Sequence, residues 1–104
     1  MIARIWHGRT PIAKADAYAA LLNRLAITDY RAIPGNLAVH LLRRDEGEEV
    51  HFITFTLWES LSAIENFAGT PTDQAKYYPE DRDFLLEFEP KVLHWEVVGT
   101  ASSK

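Results

Sequence analysis

The stretch Val50 to Trp58, VHFITFTLW, carries apolar, aromatic or β-branched side chains at almost every position. Successive side chains on a strand point to opposite sides of its sheet, so a strand of this kind needs cover on both faces. The run before it, Asn36 to Arg44, has the same character. Leu37, Val39 and Leu41 share one side, and Ala38, His40 and Leu42 the other. The polar, glycine-bearing Asp45-Glu46-Gly47-Glu48 between the two runs suits a hairpin turn. A sheet that is dry on both faces has to be covered twice, by the chain's own helices on one side and by a second copy on the other.

The remaining elements follow from periodicity and punctuation. Residues 2 to 8 form an apolar and aromatic run ended by Thr10-Pro11, an N-cap candidate followed by proline at the first helical position. Ala15, Tyr18, Ala19, Leu22, Leu25 and Ala26 recur at three- and four-residue steps, which predicts an amphipathic helix closed by Pro34-Gly35. Ser60 can cap a second helix with Leu61, Ile64 and Phe67 on one face and Gly69 at its end. Pro79-Glu80-Asp81 opens a short acidic-headed helix through about Phe88, with Glu80, Asp81 and Asp83 read as a solvated helix start, and Pro90 stops it. Residues 91 to 98 make a last strand, and residues 100 to 104 a frayed tail.

Strand, helix, strand, strand, helix, strand describes an α+β, ferredoxin-like βαββαβ fold with a four-stranded antiparallel sheet. Residues 1 to 99 make one domain of it, and sheet-to-sheet pairing of two copies gives a dimeric α+β barrel. The chain of 104 residues is long enough for one such core. The net charge of −4, with no basic block longer than Arg43-Arg44, argues against nucleic acid or an anionic membrane as partner. No apolar run is long enough for a membrane span, and no leader-like segment opens the chain, so a cytoplasmic location is expected. There is no cysteine, and hence no thiolate nucleophile or sulfur-ligated zinc.

The outer strands are placed by charge. Setting Arg4 opposite Glu96 puts Trp6 against His94 on the same face and His7 against Leu93 on the other. Arg4, Trp6, His94 and Glu96 then form the more polar face, assigned to the dimer interface. The drier face, with Ile5, His7, Leu93 and Trp95, is assigned to the helices. His40 and His51 share a face but are diagonally offset, with no ligand-like spacing beside them, so no metal site is expected.

Three segments, MIARIWHGRT, TLWESLSAIENFAG and the closing HWEVV, together with the layout between them, resemble the antibiotic biosynthesis monooxygenase-like family of dimeric α+β barrels. The resemblance implies an apolar or aromatic small molecule held between sheet and helices, and an oxidoreductase chemistry that some relatives carry out without a cofactor. Others bind and degrade haem. Where several relatives place a strand-one asparagine and a second-helix tryptophan, this chain has His7 and Phe67; the residue one turn before Phe67 is Ala63. Where haem-degrading relatives place a histidine after that helix, it has Lys76, Tyr77 and Tyr78.

The expectation is therefore a homodimer with possible cofactor-independent monooxygenase activity. His7 would be the general base, and Phe55, Phe67, Tyr77, Tyr78 and Trp95 would contact the ligand. The alternative is a non-enzymatic ligand-binding or stress-related dimeric barrel protein, and a third reading is a dimerisation module with its interior filled by side chains.

Overall fold

The computed structural model describes residues 1–101; residues 102–104, the end of the expected tail, lie outside the described residues. Strand β1 (Ile2–Pro11) leads into helix α1 (Ile12–Ala32). The hairpin of β2 (Asn36–Glu46) and β3 (Glu49–Trp58) follows, then helix α2 (Leu61–Ala68), a 3-10 turn (Pro79–Asp83) and strand β4 (Leu93–Glu96). The four strands form one antiparallel sheet in the order β2-β3-β1-β4, the expected ferredoxin-like arrangement.

Several boundaries differ from the sequence reading. Pro11, not Thr10, stands at the N-cap of α1, because Thr10 still pairs with Val50 in the sheet and is fully buried there. The hairpin loop is two residues, Gly47 and Glu48, with Gly47 at φ +62°, so the strands extend further than the polar turn suggested. That register pairs Leu42 with Ile53 and Arg44 with His51. The helix expected through Phe88 shortens to one 3-10 turn, and the last strand pairs over four residues only.

Which side of the sheet the helices cover is settled by β3. Val50, Phe52, Thr54, Thr56 and Trp58 are buried, while His51, Ile53, Phe55 and Leu57 between them are only partly so. The buried set faces Ala15, Tyr18, Leu22, Ala26 and Tyr30 of α1 and Ile64 and Phe67 of α2 in one core cluster. Cross-strand pairing then carries the assignment to β1: Trp6 lies opposite Thr54 and Arg4 opposite Thr56, on the helix side, and His7 lies opposite Ile53 on the open side.

This reverses the expected face assignment. Arg4 and Trp6, expected at the dimer interface, are 3% and 7% exposed under the helices and the segment after α2. His7, expected to face the helices, lies on the open face. The β1–β4 register also moves by two residues, with Arg4 opposite His94 and Ile2 opposite Glu96. A shift of two keeps each strand's faces together, so Arg4, Trp6, His94 and Glu96 still share one side. The Arg4 guanidinium does not pair with Glu96 because it is taken up by two backbone carbonyls and an imidazole.

Two glycines are required by close packing. A Cβ on Gly8 would sit 2.5 Å from the Trp6 ring, so Gly8 makes room for the indole to fold along β1. Gly35, at φ +90°, turns the chain into β2 with its Cα against Ala63 of α2.

Ile64 is fully buried, whereas Leu61 on the same helix is 51% exposed. Ile64→Ala should therefore lower unfolding free energy by about 2–5 kcal/mol, and Leu61→Ala by no more than about 0.5 kcal/mol, both read from urea unfolding. Equal losses would mean that α2 does not pack through this face.

Candidate functional site

The space between sheet and helices is lined by Trp6, Tyr18, Tyr30, Thr54, Tyr78 and Asp81, with Lys76 at its edge. It is an aromatic cleft, nearly full, with a residual volume of about 10 Å³, the room of at most one water. Its cover is the segment from Thr70 to the 3-10 turn, which brings Lys76, Tyr78 and Asp81 to it.

Asp81 is 2% exposed, so it is not the solvated helix start read from the sequence. It is the N3 residue of a capping box, its carboxylate accepting from the Tyr78 backbone N–H at 2.6 Å. Its other oxygen accepts from the Tyr18 hydroxyl at 2.9 Å. Burial raises its pKa above the usual carboxylate range, against the two hydrogen bonds that favour the ionised form. The Tyr18 hydroxyl is pushed up in turn, first by burial and then by Asp81.

The indole N–H of Trp6 is buried and makes no close hydrogen bond; its weak partner is the Tyr77 side chain, which meets the ring edge-on with centroids 6.1 Å apart.

The cover is held by Arg4. Its guanidinium donates to the Thr72 carbonyl at 2.5 Å and the Gln74 carbonyl at 2.9 Å, and lies 2.9 Å from Nε2 of His94. Phe67 lies beneath it, 5.8 Å from ring centroid to guanidinium carbon. Burial lowers the Arg4 pKa, opposed by Tyr30 and Asp73. Since arginine offers only donors, Nε2 of His94 must be the acceptor, and His94 must be neutral for the contact to exist. Burial, and then Arg4, accordingly lower the His94 pKa.

The other expected site residues are divided between the two faces. Phe67 packs among Tyr30, Trp58 and Arg4. Tyr77 donates to the Glu89 carbonyl at 2.6 Å, and the Tyr78 hydroxyl to Asp29 at 2.8 Å, so both tie the cover down. Phe55 and Trp95 lie on the open face, away from the cleft, with Trp95 58% exposed.

His7 is also on the open face, beside a groove of about 380 Å³ lined with His51, Leu42, Ile53, Arg43 and Arg44. Nδ1 of His7 is 2.5 Å from Glu89, and Nε2 is 2.8 Å from Nδ1 of His51. Sequence reasoning missed Tyr18, Tyr30 and Asp81 in the cleft. Asp81 was visible only as the third residue after Tyr78 in a capping pattern with an unusual tyrosine cap.

Haem does not fit these residues. Among the described residues no histidine lines the cleft; His7, His40 and His51 are on the other face and His94 is engaged by Arg4. No group of three or more potential metal ligands is found among the described residues, and no helix among them is long and apolar enough to cross a membrane.

The His94 geometry sets a pH dependence. A base whose folded pKa lies below its ordinary value of 6.5 contributes stability that is present above that value and lost as pH falls toward the depressed one. The wild-type urea midpoint should fall between about pH 7.5 and about pH 5 more steeply than that of His94→Gln, which keeps an acceptor but does not titrate. Parallel pH profiles would mean that His94 is not held neutral.

Comparison with known proteins agrees with this architecture. The family model for antibiotic biosynthesis monooxygenase matches residues 1–75. A search of curated proteins gives no match. Among solved structures, a haem degrader from Mycobacterium tuberculosis with two haems bound in its active site is 26% identical. That match covers 98% of this chain and all of the other, with a TM-score of 0.57. An antibiotic biosynthesis monooxygenase is 18% identical over 95% of this chain and all of its own, with a TM-score of 0.67. A monooxygenase of Streptomyces coelicolor in complex with nanaomycin D is 15% identical over 99% of this chain and 91% of its own, with a TM-score of 0.61. The last two likenesses show the fold. With the family model spanning well over half of its length, the chain belongs to the antibiotic biosynthesis monooxygenase family.

Proposed function

We propose that the protein is a homodimeric, cofactor-independent monooxygenase-type protein that binds a small aromatic molecule in the cleft between sheet and helices. The observation that carries this reading is the Asp81 carboxyl, 2% exposed in a cleft walled by Trp6, Tyr18, Tyr30 and Tyr78. An aromatic ligand stacks on the aromatic walls and brings its reacting group to the Asp81 carboxyl. Because the cleft is nearly full, entry requires the Thr70–Asp83 cover to move outward.

Asp81, rather than His7, has the placement for the cleft chemistry. A carboxyl held above the usual range is a better base when ionised and can return its proton. It takes a proton from an activated substrate CH2 next to an electron-rich ring. The carbanion reduces oxygen, one oxygen atom enters the substrate as a carbonyl, and the other leaves with the two hydrogens as water. The substrate supplies all four electrons that reduce the oxygen molecule. Haem-degrading chemistry has no support from the cleft residues, although one matched protein binds haem.

The second copy is proposed to cover the open face, where Leu93 and Trp95 are 60% and 58% exposed beside the half-buried Ile5.

Two outcomes are expected. Oxygen uptake with anthrone-like or polyphenolic substrates should be detectable and fall about 10²-fold in Asp81→Asn, with Trp6→Phe weakening binding. Tryptophan quenching without oxygen uptake would leave a ligand-binding protein and remove the enzyme. Trp95→Glu should shift sedimentation velocity from dimer to monomer, and an unchanged coefficient would place the interface elsewhere.

A further inference from the structure

We propose that the ligand of the cleft carries a carboxylate at the end away from its reacting group, and that Lys76 binds this carboxylate. The inference names the ligand class of the aromatic site proposed above and rests on that reading.

The cleft has two unlike ends. Tyr18, Leu22, Ala26 and Tyr30 line it at four-residue steps, so it follows one face of α1. The backbones of Tyr18 and Tyr30 stand about 18 Å apart along the helix axis. Asp81 marks the Tyr18 end, 2.9 Å from the tyrosine hydroxyl. Phe67 marks the Tyr30 end, the two ring centroids 4.7 Å apart. The Lys76 ammonium lies over that same Phe67 ring, 4.4 Å from its centroid. One end of the cleft therefore offers a carboxyl and the other an ammonium.

The ammonium has no acid of its own. Among the described residues no carboxylate comes within ion-pair distance of Lys76. The acids nearest in the chain to Lys76, Tyr30 and Phe67 are engaged elsewhere. Asp73 pairs with Lys91 at 3.6 Å, Asp29 accepts from the Tyr78 hydroxyl at 2.8 Å, and Glu65 accepts from the Thr70 hydroxyl at 3.2 Å. Arg4, 5.8 Å from the Phe67 centroid, adds positive charge to this end while it donates to the Thr72 and Gln74 carbonyls.

Lys76 is exposed at the edge of the cleft, so an acid group that reaches it stays partly hydrated while the ring enters the dry interior. A single ammonium is a point charge that balances a monoanion. A polyanion would bring surplus negative charge toward Asp81. An aromatic acid is thereby held in one direction, with its carboxylate at the mouth, its rings between the tyrosines and its reacting group at Asp81. Because Lys76 is carried on the cover, this ion pair forms as the cover closes back over the ligand.

The test compares three probes by calorimetric titration at neutral pH. The two groups of 6-hydroxy-2-naphthoate lie at opposite ends of the rings, those of 3-hydroxy-2-naphthoate are adjacent, and 2-naphthol has no acid. The first should bind about fivefold more tightly than 2-naphthol, as one exposed ion pair allows, and the advantage should shrink in high salt. Lys76→Gln should bring the ratio of these two dissociation constants to about one, and Lys76→Arg should keep the advantage. With both groups at one end, 3-hydroxy-2-naphthoate reaches Lys76 or Asp81 but not both, and should bind no better than 2-naphthol. Equal affinities in the wild type, an advantage that survives Lys76→Gln, or an equal gain for both naphthoates would overturn the inference and leave the cleft reading standing. Failure of 2-naphthol to shift the Trp6 and Tyr30 ring resonances would overturn both.

Discussion

The arrangement depends on a guanidinium that has left water. Arg4 is 3% exposed, and a charge at that depth persists only where dipoles are aimed at it. The carbonyls of Thr72 and Gln74 and the lone pair of His94 supply them. Because those groups belong to two stretches of chain besides Arg4's own strand, satisfying one cation fixes β4 beside β1, sets their register and pins the segment after α2 across the cleft. The same segment pairs with the chain before β4 through Ala75 to Pro90 and Val92 to Asp73. Arg4 is thus at once a fold determinant and the fastening of the cleft cover.

The sheet separates two environments by the alternation of its side chains. Its helix side holds a closed aromatic cleft with a buried carboxyl. The open side holds His7 between Glu89 and His51, beside the exposed Leu93 and Trp95. Trp6 and His7, adjacent in sequence, lie on opposite faces because neighbouring strand residues cannot share a face. Gly8 follows because the indole needs the room that a Cβ would occupy.

Much of the fold was legible in the sequence. The Asn36–Trp58 hairpin, the period of α1, and Ser60 and Gly69 around α2 all stated their structure through local rules, and their order gave the topology. The Ser60 side chain does accept from the Ala63 N–H, as a cap should. What local rules do not contain is which face of a two-sided sheet meets the helices. Both faces of β1 to β3 offered apolar residues, and the decision rests on Arg4 and Asp81, which look like surface residues until distant carbonyls and hydroxyls are brought to them. His7 was a reasonable candidate for chemistry, but its partners Glu89 and His51 lie 82 and 44 residues away, and no spacing rule links them. Asp81 was hidden by its acidic neighbours, Glu80 and Asp83.

The central claim is that an aromatic ligand enters beneath the segment fastened by Arg4. Amide hydrogen exchange with and without a saturating naphthol tests it directly. Ligand should change protection at Ala75, Asp81 and Val92, the amides that hold the cover, while the central β2–β3 amides stay as they were. Ligand bound with no change at those three amides would contradict the account.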